Sequence, residues 1–179
     1  RCLTPLARLE KLLGMTSKMT RPLLLIGCGK MGGAMLAGWR SSGIAAAGVT
    51  VVEPAGAANF ADATDVTIYA KADALPTELD PEVIVFAVKP QQMDTVAPAY
   101  TRFAAGDCVF LSIAAGKTIG YFEEQLGTQA AVIRAMPNTP AAIGQGITVL
   151  CPNDNVSYAQ STLCQQLMQS VGEAVTVSD

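Results

Sequence analysis

From Pro22 onward, short runs of aliphatic and β-branched residues alternate with longer segments whose apolar positions recur every three to four residues. The short runs predict strands at 23–26, 49–52, 66–69, 83–88, 108–113, 132–134, 147–150 and 174–177. The longer segments predict helices at 31–42, 93–103, 118–125 and 156–171, with a short, weak one at 57–63. The helix at 156–171 has the clearest ends, since Asn153, Asp154 or Asn155 is suited to cap its start and Gly172 to stop it. Strand–helix alternation of this kind builds a parallel sheet with helices on both faces. No repeat, low-complexity tract or linker interrupts the pattern before Asp179.

The first twenty residues break from it. Leu3, Leu6, Leu9, Leu12 and Leu13, among Arg1, Arg8, Lys11 and Lys18, suit a short amphipathic helix, and Met15 and Met19 stand just before the first strand. Residues 1–20 are read as an extension outside the fold, and 21–179 as one domain. With 179 residues, of which 50% are hydrophobic and 15% charged, the chain is long enough to bury a full core.

Composition then removes whole classes of function. A net charge of −3 with no cluster of Lys and Arg excludes a phosphate-backbone footprint, so nucleic acid is not an expected partner. No apolar stretch approaches the roughly 18–20 residues that span a bilayer, so a soluble protein is expected, with no membrane partner. Five cysteines at positions 2, 28, 108, 151 and 164 are odd in number and lack metal or redox spacing, which suits a reducing cytoplasm. Histidine is absent. That excludes histidine triads, histidine-ligated zinc and histidine acid–base chemistry within the chain, and no metal is expected. Chemistry must come mainly from a cofactor and a small-molecule substrate.

The cofactor is suggested by Gly27-Cys28-Gly29-Lys30-Met31-Gly32, placed between the first predicted strand and the first predicted helix. Strand, glycine loop and helix in that order specify an α/β, doubly wound Rossmann sheet, mostly parallel, with about eight strands and helices on both faces. Gly27 permits the tight turn, Gly29 lets the backbone approach a pyrophosphate, and Gly32 lets the helix pack on the strand. The helix start at Met31 offers unpaired amides and a partial positive charge to phosphate. Cys28 and Lys30 fill the variable positions; Cys28 reads as packing and Lys30 as solvated, because the amides already satisfy the anion.

Glu53 ends the second predicted strand, the position that faces the adenosine ribose. Its carboxylate suits free 2′ and 3′ hydroxyls and repels a 2′-phosphate, and no Arg or Lys follows until Lys71. NAD(P)H is therefore the expected cofactor, with NADH favoured. The plainer reading of Glu53 is a solvated strand end.

Three more segments follow strand ends: Ala87-Val88-Lys89-Pro90-Gln91, Ser112-Ile113-Ala114-Ala115-Gly116, and Arg134-Ala135-Met136-Pro137-Asn138-Thr139-Pro140. With the glycine loop they make residues 22–179 resemble the pyrroline-5-carboxylate reductase family. The resemblance implies that Ala87, Val88, Lys89 and Pro90 line the cofactor's ribose and phosphates. It places Ala114, Ala115 and Gly116 against the nicotinamide ring, and Asn138 and Thr139 near the carboxamide or the substrate. It further implies NAD(P)H-dependent reduction of 1-pyrroline-5-carboxylate to proline, usually with NADPH, a preference that Glu53-Pro54-Ala55 puts in question. In that family a helical half follows, forming a homo-oligomer and holding the substrate carboxylate. The expectation is that this chain is the cofactor half, with the C-terminal helical dimerisation domain absent, and it assigns no catalytic side chain. The alternatives are a non-catalytic nucleotide sensor, or the cofactor domain of another two-domain reductase such as a hydroxyacid dehydrogenase or a flavin-analogue-dependent NADP reductase. Those reductases are not expected to carry the Met136–Pro140 segment together with the Ala-Ala-Gly loop.

Overall fold

The computed structural model describes residues 18–138 and 146–177. Eight strands form one sheet: β1 Leu23–Ile26, β2 Val49–Val52, β3 Val66–Tyr69, β4 Val83–Phe86, β5 Val109–Ser112, β6 Ala131–Pro137, β7 Gly146–Pro152 and β8 Gly172–Thr176. Their order is β3-β2-β1-β4-β5-β6-β7-β8. Neighbours from β3 to β6 run parallel, β7 turns back antiparallel on β6, and β8 lies parallel to β7. This is the doubly wound Rossmann arrangement anticipated from the alternating pattern.

Strands β1, β2, β4 and β5 are buried along their whole length, because helices cover both faces and leave no wet side for polar residues. Successive side chains point to opposite faces, so each strand feeds two cores. Leu23, Leu25, Val83 and Val85 pack with Trp39 of α1 (Lys30–Ser42) and Leu167 of α4 (Tyr158–Gln169). On the other face, Leu24, Ile26 and Ile84 pack with the segment after β4 and with Phe122 of α3 (Ile119–Leu126). There Phe86 anchors an aromatic cluster, with ring centroids 5.7 Å from Tyr100, 6.0 Å from Phe110 and 5.8 Å from Phe122.

Several boundaries differ from the sequence expectation, each for a local reason. The helix predicted over 93–103 is one α-helical turn, α2 (Met93–Val96), continued as 3-10 helix at Ala97–Phe103. Pro98 cannot donate into an α-helical ladder, and its ring crowds the preceding turn. The weak helix at 57–63 shrinks to a 3-10 turn at Ala58–Phe60 that buries Phe60. Helix α4 is capped by Ser157, not by Asn153, Asp154 or Asn155. Ser157 Oγ accepts from Gln160 N (3.3 Å) and Gln160 Oε1 accepts from Ser157 N (2.9 Å), a reciprocal capping box. Gly172 is not a helix stop; it opens β8 opposite Gly146. Upstream, the fold reaches back into the predicted extension. Met19 is buried and donates its amide to Ile44 O (3.0 Å), while Thr20 N and Arg21 N both donate to Glu82 Oε2. Residues 1–17 of that extension lie outside the described residues. No helix among the described residues is long and apolar enough to cross a membrane.

Candidate dinucleotide site

β1 is flanked by β2 on one side and β4 on the other. The chain leaves the ends of β1 and β4 in opposite directions, and the loops part to leave a crevice over the strand ends. A cleft of about 520 Å³ opens there, lined by the glycine loop, the ends of β2 and β3, the β4 loop and the helical segment after it.

The three loop glycines have three different surroundings. Gly27 has φ +90, and its amide donates to Val52 O (2.9 Å); an added Cβ would meet the Ala87 backbone at 2.9 Å. Gly32 is buried, and a Cβ there would collide with the Gly27 carbonyl. At Gly29 an added Cβ would meet nothing within 4 Å. The first two glycines therefore serve the fold, whereas the third keeps open the space beside the strand end. Gly29 is also the N-cap of α1, with no side-chain cap and no acid in the first turn. Gly33 N makes the first helical bond, to Gly29 O (2.8 Å), so the amides of residues 30–32 have no partner within the helix. Amides without helical partners, a dipole end and a cradle that no side chain fills together fit a pyrophosphate.

Glu53 is held by two backbone donors: Cys28 N to Oε2 (2.8 Å) and Ala55 N to Oε1 (3.2 Å). The carboxylate is thereby fixed at the β2 end of the cleft. Burial, then the Glu53 charge, pushes the Cys28 thiol up, so Cys28 is a packing thiol and not a thiolate. The expectation that no cation stands near Glu53 needs correction. Eighteen positions of sequence vanish when β3 pairs with β2, Val52 opposite Tyr69, and Lys71 then lines the same cleft. Lys71 and Lys89, which also lines it, are exposed, and neither forms an ion pair among the described residues.

Of the predicted set, Gly27, Gly29, Glu53, Ala87, Val88 and Lys89 line this cleft. Cys28 and Lys30 face a second cavity of about 630 Å³, which Gly29 also borders and where Phe60 forms part of the wall. Met31, Gly32, Pro90, Ala114, Ala115 and Gly116 line neither. Pro90 opens the 3-10 turn Pro90–Gln92 that carries the β4 loop into α2. After β5, Ser112 Oγ accepts from Ala114 N (3.2 Å), Ala114 is buried, and Gly116 turns at φ +77. Asn138 directly follows β6, and its Oδ1 accepts from Ile147 N (2.9 Å). That oxygen secures the start of β7. Thr139 lies outside the described residues. Sequence reasoning missed the far wall, Gln92 to Tyr100, which reaches the cleft only through the bend in the chain after β4.

Residues 23–116 match the family described as NADP oxidoreductase, coenzyme F420-dependent. The chain belongs to that family. The match covers the glycine loop, Glu53 and the loops after β4 and β5, and ends before Arg134. Similarity continues further in other proteins. The pyrroline-5-carboxylate reductase of Pseudomonas aeruginosa is 33% identical over 160 residues, covering 89% of this chain and 59% of that protein. A pyrroline-5-carboxylate reductase structure from Coxiella burnetii superposes with a TM-score of 0.82 at 27% identity, covering 90% of this chain and 60% of that one. The Plasmodium falciparum pyrroline carboxylate reductase, solved with NADP bound, gives 0.74 at 24% identity, covering 89% of this chain and 58% of that one, and speaks to fold alone. The family member thus spans about three fifths of the length of these relatives.

Proposed function

We propose that this chain is the cofactor half of a pyrroline-5-carboxylate reductase, binding NAD(P)H and serving reduction of the cyclic C=N bond of 1-pyrroline-5-carboxylate to give proline. The observation that carries the reading is the bare start of α1 beside an open Gly29 at the mouth of a cleft over the strand ends. The relatives that match over most of the chain supply the substrate.

When bound, the nicotinamide supplies the hydride. The chain's own residues bind and orient. Amides of the loop from Gly27 to Gly32 hold the pyrophosphate, and Glu53 accepts from the ribose hydroxyls. Ala87 to Pro90 border the ribose and phosphates, and small Ala114, Ala115 and Gly116 let the ring approach the backbone. Asn138 and Thr139 belong to the substrate side. A protonated cyclic imine is already electrophilic, so orientation carries the rate and no side-chain acid is assigned; correct placement is worth roughly 7–11 kcal/mol of barrier.

NADH is the favoured cofactor. Glu53 has its charge fixed by two amides, whereas Lys71 ends an exposed, rotatable stem that can swing away from the rim. The whole protein is read as a homo-oligomer of the cytoplasm. Titration of the chain with NADH, followed by nicotinamide fluorescence, is expected to saturate. Paired with it, steady-state proline formation is expected from protein carrying both halves and not from this chain alone. Failure to bind either reduced cofactor overturns the reading, and robust turnover by this chain alone moves the substrate site into it.

A further inference from the structure

The loop after β5 is tied to the segment after β4 by side chains that the cofactor contacts do not use. Lys117 follows Gly116 directly, and its Nζ lies 2.7 Å from Asp94 Oδ1. Asp94 is the second residue of α2, just beyond the β4 loop. The same oxygen accepts from the Tyr121 hydroxyl at 2.6 Å, and Lys117 Nζ sits 4.0 Å from the centre of the Tyr121 ring. The ammonium is thus sandwiched between a carboxylate and an aromatic face, with only 19% of the Lys117 side chain exposed. Tyr121 is itself set by α3, whose cap Thr118 accepts from Tyr121 N (3.1 Å).

Resting on the dinucleotide reading above, we propose that Asp94 is a positioning residue. Through Lys117 and Tyr121 it holds the Ala114–Gly116 loop at the distance from the β4 loop that the nicotinamide ring requires.

The fold does not need this clasp. An exposed ion pair adds little to stability, and Asp94 is 70% exposed, while the β4–β5 pairing and the aromatic cluster already join these elements. The loop does need it. Ala114 is buried and bonded to Ser112 Oγ, but Gly116 at φ +77 has nothing within 4 Å of where a Cβ would stand, so no side chain packs over the end of the loop next to Lys117. The hydrogen bonds from Lys117 and then Tyr121 hold the Asp94 carboxyl below its ordinary range.

Because Asp94, Lys117 and Tyr121 do not themselves line the cleft that Glu53 and Lys71 share, the clasp acts on the nicotinamide half of the cofactor. The test compares Asp94→Asn, Asp94→Ala and Lys117→Met with wild type for binding of NADH and of ADP-ribose, which lacks the nicotinamide. The expected result is ADP-ribose affinity within about twofold of wild type and NADH affinity lowered about fivefold, the upper end for an exposed pair. Loss of the NADH fluorescence change on binding, with Asp94→Glu restoring most of it and the melting temperature held, completes the signature. Equal weakening of both ligands, or wild-type NADH binding by Asp94→Asn and Lys117→Met, overturns the clasp while leaving the dinucleotide site standing. Wild-type protein that binds neither ligand overturns the dinucleotide reading and the clasp with it.

Discussion

Helices α1 and α4 start in opposite ways. At α4, Ser157 and Gln160 satisfy each other's backbone donors, and the strand ends nearby are closed the same way: Asn153 Oδ1 accepts from Val132 N (3.0 Å), and its Nδ2 donates to Glu123 Oε1 (2.9 Å) and Ala130 O (3.0 Å). At α1 the cap is a glycine without a side chain, no acid compensates the dipole, and a cleft opens beside it. Backbone polar groups in folded proteins are almost always paired, so a start that the chain closes with its own side chains is architecture. One left bare at the switch point of a doubly wound sheet is kept for a ligand.

The sharpest way to break this contrast is to fill the bare start. Gly29→Val should lower NADH affinity by at least about a hundredfold, because the β-branched side chain stands where the pyrophosphate must lie. The fold should survive, since a Cβ at Gly29 meets nothing within 4 Å and its φ of −69 is open to any residue. Gly32→Val, three residues along the same loop, should instead lower the melting temperature, because its Cβ collides with the Gly27 carbonyl. Thermal melts and NADH titrations of both variants separate the two roles. Near-normal affinity in Gly29→Val removes the phosphate loop from the site.

Why the first part of this site was legible in the sequence is clear from the same glycines. Their spacing and their place between a strand and a helix are local facts, and local facts are written in order along the chain. The buried strands were legible for a similar reason, as runs such as Leu23–Ile26 and Val83–Phe86 have no wet face to interrupt them. What the sequence hid depends on tertiary neighbours. Lys71 reaches Glu53's cleft only because β3 pairs with β2, and the wall from Gln92 to Tyr100 reaches it only through the bend in the chain after β4. Asn138, which the resemblance places near the carboxamide or the substrate, has its side-chain Oδ1 bonded to Ile147 N across a strand pairing that no local pattern encodes. The cap of α4 was missed for a narrower reason: three Asn and Asp residues precede Ser157, and only the box with Gln160 distinguishes the right one.

Within the bare half, the next largest effect concerns which cofactor is held. Glu53→Ser should move the NADH:NADPH affinity ratio about tenfold toward NADPH, the size of one charge interaction removed at a partly screened rim. Competition titrations at two salt concentrations test it, since a charge effect must shrink as salt rises. Tighter NADPH binding by the wild-type protein at moderate salt would show that Lys71, and not Glu53, governs the rim.

The closed half carries the smallest and most diagnostic expectation. Ser157→Ala removes the hydroxyl that accepts from Gln160 N and leaves Gln160 Oε1 with only the Ser157 backbone donor. Loss of an N-cap of this kind costs about 1 kcal/mol, so the melting temperature should fall by a few degrees. Cofactor affinity should not change, because the start of α4 lines neither of the two cavities at the glycine loop. Denaturant melts and NADH titrations of this one variant therefore read both sides of the contrast. A stability loss with unchanged affinity is what architecture predicts. An affinity loss comparable to that of Gly29→Val would mean that the capped helix, too, belongs to the ligand site.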